Sequence, residues 1–419
     1  SALALSKRLL PQDAAPGMLG KLGARTVVAA TLRAVQLLGR QFVLGQDIHA
    51  AMHEAGAARA RQPGLRFSYD MLGEGARTAA DASQNLARYE AAIGAIAATS
   101  DSARPVQQND GISIKLSALH PRYEALQRER VLADLVPRVW ALCRQAGAAN
   151  INLTIDAEEV DRLELSLDVV DALAERVGRE LPQWQGFGLA LQAYQTRALD
   201  LVAHVAGVAR RHHIRLMVRL VKGAYWDAEI KRAQELGLAH YPVFTHKQHT
   251  DVSYLACARA LLQAGDVIYP QFATHNAGTI AAIVQMARAA GAAFELQRLH
   301  GMGEGVYREV LRDPQLACRV YAPVGQHRDL LAYLVRRLLE NGANASFVHQ
   351  LADPSVDIDR LLQSPLQPAV ELPLSQPLPP DLYGAARRNS TGVDLAVAAM
   401  RAPLAQAVAT CTLPTIRMS

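Results

Sequence analysis

An α/β fold of the (β/α)8 type, a TIM-type barrel of eight parallel strands each followed by a helix, is the class the sequence predicts. Three observations predict it. Short β-type runs alternate with helical patterns from residue 65 onward. The alternation yields eight strands over about 275 residues, the number and size of a closed barrel. An open doubly wound sheet would show a GxGxxG turn after its first strand, and the glycine-rich "GMGEG" at 301–305 lacks that spacing.

The predicted strands are 65–70, 112–117, 151–156, 187–192, 214–221, 267–274, 293–299 and 318–323. Each is a run of mainly aliphatic or aromatic residues. Helical periodicity fills the gaps at 76–98, 124–147, 158–178, 195–212, 227–236, 251–264, 277–290, 303–312 and 328–341. Ahead of the barrel, residues 1–64 are rich in Ala, Leu and Arg and read as a helical arm. Behind it, 353–385 is dense in Pro, Leu and Ser and reads as an extended linker, with a short helical pattern within 386–419. The abrupt end leads us to expect a piece of a longer polypeptide.

Of 419 residues, half are hydrophobic and a fifth charged, the balance of a soluble enzyme. The net charge of +5 is spread along helical segments among acids. A nucleic-acid binder gathers its charge into a stripe, so that class is set aside. Cys143, Cys257, Cys318 and Cys411 form no CxxC pair, and three lie in apolar runs. Buried reduced thiols in a cytoplasmic protein are expected. No stretch is apolar for long enough to span a bilayer.

Side chains alternate across a strand, so each strand sorts into two faces. Ile112 and Ile114 oppose Ser113 and Lys115; Leu153 and Ile155 oppose Thr154 and Asp156. Leu189 and Leu191 oppose Gly188, Ala190 and Gln192; Leu216, Val218 and Leu220 oppose Met217 and Arg219; Phe294 and Leu296 oppose Glu295 and Gln297. The surrounding helices take the aliphatic faces, so the polar ones point inward. Lys115, Asp156, Gln192 and Arg219 then share one layer at the carboxyl ends of the strands, where barrel enzymes keep their chemistry.

Arg219 stands out within "RLVKGAYWD" (219–227). An inward arginine costs several kcal/mol unless it meets an anion or an electron-rich ring, and the following glycine lets backbone approach a ligand. The sixth strand ends in Thr274-His275-Asn276. A metal drawn from His275, His300 and an acid lacks any HxH or HExxH spacing, so no metal is expected. In 328–341, Tyr333, Arg336, Arg337 and Glu340 lie opposite an apolar stripe. If this helix covers the mouth, two guanidiniums can clamp a carboxylate.

Eight collinear motifs carry a resemblance to a known family: "ISIKLSALHPRY", "IDAEEVDRLELSLD", "LQAYQ", "MVRLVKGAYWDAEIKRAQ", "YPQFATHN", "LHGMGE", "YAPVG" and "YLVRRLLENGANASF". Over 65–352 the chain resembles the proline dehydrogenase domain of the bacterial bifunctional proline utilization flavoproteins. The resemblance implies a distorted barrel that holds FAD non-covalently and oxidises L-proline to Δ1-pyrroline-5-carboxylate, a hydride passing from proline C5 to flavin N5. It implies a carboxylate site of Lys115, Arg336 and Arg337, a ring contact from Tyr321, and polar contacts from Asp156, Tyr225 and Glu340, with Asp70 and Glu74 at the mouth. Catalytic roles fall to Arg219, Lys115, Asp156 and Tyr225.

For FAD the same resemblance implies Gln192, Arg219, Val221, Lys222, Gly223, Ala224, Trp226, Thr245, Lys247, Thr274, His275, Asn276, Gln297, Arg337, Glu340 and Ser346, with Gln297 and Ser346 outermost. It further implies electron transfer to a quinone and transient contact with the inner face of the cell membrane. "LPPDLYGAARRNSTGVDL" (378–395) resembles the start of an aldehyde dehydrogenase module, and the expectation is that this piece of the polypeptide stops short of the module's body. Two other readings compete: a flavin barrel related to methylenetetrahydrofolate reductase, and a flavin-free lyase with Lys115 as Schiff-base nucleophile.

Overall fold

The computed structural model describes residues 41–326, 333, 336, 359, 364 and 376–411. The expected helical arm up to residue 40, the linker between 365 and 375, and most of the 328–341 helix lie outside the described residues.

Eight parallel strands close on themselves in sequence order, β1 pairing β8 over seven residues from Leu65↔Cys318 to Met71↔Val324. They are β1 (Leu65–Met71), β2 (Gly111–Ile114), β3 (Asn152–Ile155), β4 (Phe187–Gln192), β5 (Leu216–Val221), β6 (Ile268–Ala273), β7 (Glu295–Leu299) and β8 (Cys318–Val324). Among the described residues the α-helices are α1 (Ile48–Arg61), α2 (Ala79–Ala97), α3 (Arg128–Ala148), α4 (Leu163–Glu180), α5 (Ala198–Arg211), α6 (Trp226–Leu236), α7 (Lys247–Gln263), α8 (Ala277–Ala290), α9 (Glu304–Val310) and α10 (Ala398–Thr410). The predicted barrel is the observed one. Boundaries shift where capping decides: α2 starts after Thr78, whose hydroxyl and Asp81 make a reciprocal capping box. α6 and α8 stop at Gly237 and Gly291 in the left-handed conformation.

The aliphatic faces pack outward in one continuous core. Ile112, Ile114, Leu153, Leu216, Val218, Leu220 and Leu296 are all buried against Val139, Leu173, Val205, Leu261 and Ile283 of the helices. Cys143, Cys257 and Cys318 are buried in this core as free thiols, while Cys411 is exposed.

Two segments outside the barrel attach to it. α1 buries Ala51 and Ala55, and Leu44 N–H reaches Pro323 O at 2.9 Å, anchoring the approach to α1 beside β8. Residues 376–385, the described end of the expected extended linker, and the residues that follow to 397 dock on α6. Asp394 accepts both Nη atoms of Arg232 at 2.7 and 2.9 Å, and Asn389 donates to Gln234 O at 2.8 Å. Composition reports that such a segment lacks helical periodicity; it does not report side chains aimed at a neighbouring helix.

Candidate active site

The inward faces fill the barrel with charge where barrels of this class usually carry branched aliphatics. Lys115, directly after β2, donates from Nζ to Asp70 Oδ1 at 2.9 Å, Asp156 Oδ2 at 3.0 Å and Tyr321 OH at 3.1 Å. Burial opposes its charge, but Asp70, Tyr321 and Asp156 outweigh burial and hold its pKa well above the usual lysine value. A Schiff-base lysine needs the opposite, a neutral amine near pH 7. The lyase reading loses its nucleophile.

The two carboxylates differ because their cations differ. Burial raises Asp156, yet Lys115 and Arg219 overcome it and hold the carboxyl below its usual range. Among the described residues Asp70 has Lys115 as its one cation, and its Oδ2 has no hydrogen-bond partner there. Burial therefore prevails, and its pKa is raised.

Arg219 on β5 completes the layer. Nη1 donates to Asp156 Oδ1 at 2.6 Å, Nη2 to Ser113 Oγ at 2.9 Å, and Nε to Gln297 Oε1 at 2.7 Å. Its guanidinium carbon lies 5.1 Å from the centre of the Tyr321 ring. The inward arginine thus meets both an anion and an electron-rich face. Tyr321 OH in turn donates to Asp156 Oδ2 at 2.6 Å.

At the mouth, Arg336 forks onto Glu74 at 2.6 and 2.8 Å and lies 5.3 Å over the ring of Tyr225, the residue that opens α6. Burial raises the Glu74 carboxyl, but Arg336 overcomes it and leaves the pKa lowered. Arg336, from the polar face of the 328–341 pattern, therefore lies at the barrel mouth and is not simply solvated. Arg337, Glu340 and Ser346 lie outside the described residues.

The remaining candidates follow the carboxyl ends of β4 to β7. Gln192 Nε2 donates to Glu158 O at 2.8 Å, and its Oε1 faces Ala224 N at 3.4 Å. The carbonyls of Val221 and Lys222 receive Ala193 N–H and Tyr194 N–H, each at 2.8 Å. Gly223 then turns with φ 136°, and a Cβ there would stand 2.5 Å from the Tyr194 ring. Trp226 spends its indole N–H on Phe244 O at 2.9 Å.

Lys222 pairs with Asp251, and Lys247, beside Thr245, reaches the same carboxylate at 2.8 Å. Thr274 Oγ accepts Asn276 N–H at 3.2 Å, and His275 Nε2 accepts Leu299 N–H at 3.1 Å. Asn276 caps α8 by accepting Thr279 N–H at 2.9 Å. Gln297, inward by the parity of β7 as the alternation predicts, is buried within the barrel between Arg219 and Glu295.

Asp251, Glu158 and Ser68 escaped the sequence reading. Asp251 and Glu158 lie outside the strands, where alternation says nothing of direction. Ser68 shares the inward parity of Asp70 on β1 and was within reach of the same argument.

A buried, mutually paired charge cluster at the carboxyl-end mouth of a closed parallel barrel defines an enzyme of the (β/α)8 class. The sequence model of the proline dehydrogenase family matches residues 53–350, and the chain belongs to that family. It is 49% identical over 396 residues to the bifunctional protein PutA of Klebsiella aerogenes, with 90% of this chain and 30% of the relative aligned. It is 27% identical to proline dehydrogenase 1 of Bacillus subtilis, covering 75% of this chain and 90% of that protein. A crystal structure of a mutant of Bradyrhizobium japonicum proline utilization A superposes with a TM-score of 0.81 at 47% identity, covering 97% of this chain and 42% of the other. The chain therefore spans under a third of the length of its curated PutA relatives.

Proposed function

We propose that this chain oxidises L-proline to Δ1-pyrroline-5-carboxylate with FAD, passing the electrons on to a quinone. The observation that carries the reading is the stacking of a second cationic tier, Arg336 over Tyr225, above the Lys115–Asp156–Arg219 layer. An amino acid with an anionic end and a ring suits such a two-tier site. Its carboxylate meets Arg336 and Lys115, and its ring lies against Tyr321.

The residues at the carboxyl ends of β4 to β7 suit FAD by their chemistry. Lys222 and Lys247 supply cations for a diphosphate, and Thr245, Thr274 and Asn276 supply hydroxyl and amide groups for ribityl and adenine. The chemistry FAD would supply is acceptance of a hydride at N5. Arg219 opposes negative charge developing in the layer it occupies. Asp156, with its pKa lowered, is a weak base; its part is to orient the amine by hydrogen bonding while solvent takes the proton. The aldehyde dehydrogenase step that the family resemblance implies is assigned to no residue of this chain. Among the described residues no helix is long and apolar enough to cross a membrane, and quinone contact is proposed at a surface.

The test is a visible spectrum of the purified chain with and without L-proline under anaerobic conditions. Flavin bands that bleach on adding proline are expected. A yellow protein that proline leaves unbleached overturns the substrate, and a colourless one overturns the cofactor.

A further inference from the structure

Beneath the candidate site the barrel holds a second buried ion pair that the proposed reaction does not use. Arg319 and Glu295 are both fully buried. Glu295 Oε1 accepts Arg319 Nε at 2.6 Å, Oε2 accepts Arg319 Nη2 at 3.1 Å, and Gln271 Nε2 donates to Oε1 at 2.7 Å. Gln297 Nε2 also donates to Glu295 Oε1, at 3.1 Å. On its other side Gln297 Oε1 accepts from Arg219 Nε at 2.7 Å.

The two ends of this chain of contacts leave Gln297 one orientation. Arg219 Nε is a donor only, and an ionised Glu295 is an acceptor only. The Gln297 amide must therefore turn its carbonyl to Arg219 and its NH2 to Glu295; the flipped amide would set donor on donor and acceptor on acceptor. Arg319, with Arg66 Nη1 3.2 Å from Oε2, keeps Glu295 ionised despite burial: burial raises the carboxyl, and Arg319 and then Arg66 outweigh it.

We infer that Glu295 is a positioning residue for the redox site: through Gln297 it fixes Arg219 at Nε, so that the guanidinium cannot swing fully onto Asp156. The inference rests on the flavin reading above. A guanidinium drawn onto Asp156 is neutralised there and stabilises reduced flavin less, which lowers the flavin midpoint potential. A purely through-space role predicts the reverse. Removing the Glu295 charge while Arg319 stays makes the barrel more positive and raises the potential.

The experiment is spectroelectrochemical titration of the flavin-loaded full chain, without proline, for the wild type, Glu295→Gln, Gln297→Met and the double variant. Both single variants are expected to lower the preference for reduced over oxidised flavin by about tenfold, which is about 30 mV for a two-electron couple. The double variant should fall no further than the larger single one, because both act through one contact. A folded Glu295→Gln protein with an unmoved or raised potential overturns the relay, and so does an additive double variant. Should Glu295→Gln not fold, Glu295→Asp keeps a carboxylate in the pocket but, one methylene shorter, draws the acceptor oxygen that Arg319 Nε and Gln297 Nε2 share back from Gln297. The same lowered potential is expected, and an unchanged one refutes the inference. A wild-type protein without flavin bands overturns the cofactor reading instead, so the two failures are distinguishable.

Discussion

Replacing Lys115 by methionine isolates the least compensated charge in the barrel. Asp156 would keep Arg219 at 2.6 Å. Among the described residues Asp70 would keep no cation, since its one ion-pair contact there is Lys115 at 2.9 Å and its Oδ2 has no hydrogen-bond partner there. Breaking a buried pair by removing one member costs about 3–5 kcal/mol. The cost is linked to pH. Burial has already raised the folded-state pKa of Asp70. The neutral form is thus favoured in the fold, and stability is lost as pH rises through the folded value. Without Lys115 that value rises further. Between it and the unfolded carboxylate value the penalty grows by about 1.4 kcal/mol per pH unit.

Urea unfolding of the full chain at about pH 5 and about pH 8 measures this. Lys115→Met should lose about 3–5 kcal/mol at the higher pH and markedly less at the lower one. Adding Asp70→Asn should restore about 2 kcal/mol or more at the higher pH. An equal loss at both pH values, or no recovery in the double variant, refutes the assignment of the cost to Asp70.

Three other perturbations test separate parts of the structure. Burial raises Glu229, which accepts Val160 N–H at 2.8 Å, to about 7, so its folded form favours the neutral acid and stability falls as pH rises from the ordinary glutamate range through 7. Glu229→Gln keeps the acceptor without the charge and should gain up to roughly 3 kcal/mol near pH 8 and little near pH 5; thermal melts across that range decide it. Gly223→Ala places a Cβ 2.5 Å from the Tyr194 ring at a φ of 136°, so a loss of about 1–3 kcal/mol and of retained flavin is expected; a melting temperature equal to wild type would contradict the strain. Asp394→Ala removes both hydrogen bonds to Arg232. Limited proteolysis should then cut within 376–397 faster while proline turnover is unchanged, and an unaltered digestion pattern would show that this ion pair does not hold the segment.

Residue alternation is a property of the local backbone, and it was enough to assign eight strands and to turn Lys115, Asp156, Gln192 and Arg219 inward. The same parity put Glu295 and Gln297 on one inward face. Caps such as Thr78 with Asp81 were also written locally, although they moved helix starts by a few residues. The resemblance motifs named the residues of the mouth. What alternation cannot state is which inward side chains meet, because that depends on the register and closure of strands far apart in sequence. Lys115 reaches Tyr321 across 206 positions, and Arg336 reaches Glu74 across 262. Only closure of β1 on β8 brings those pairs together. Closure likewise sets Asp156 between two cations and leaves Asp70 with one, which is why two similar aspartates have their pKa values moved in opposite directions. The docking of 376–397 on α6 belongs to the same class of fact: its residues are visible in the sequence, but their partners exist only once the barrel is built.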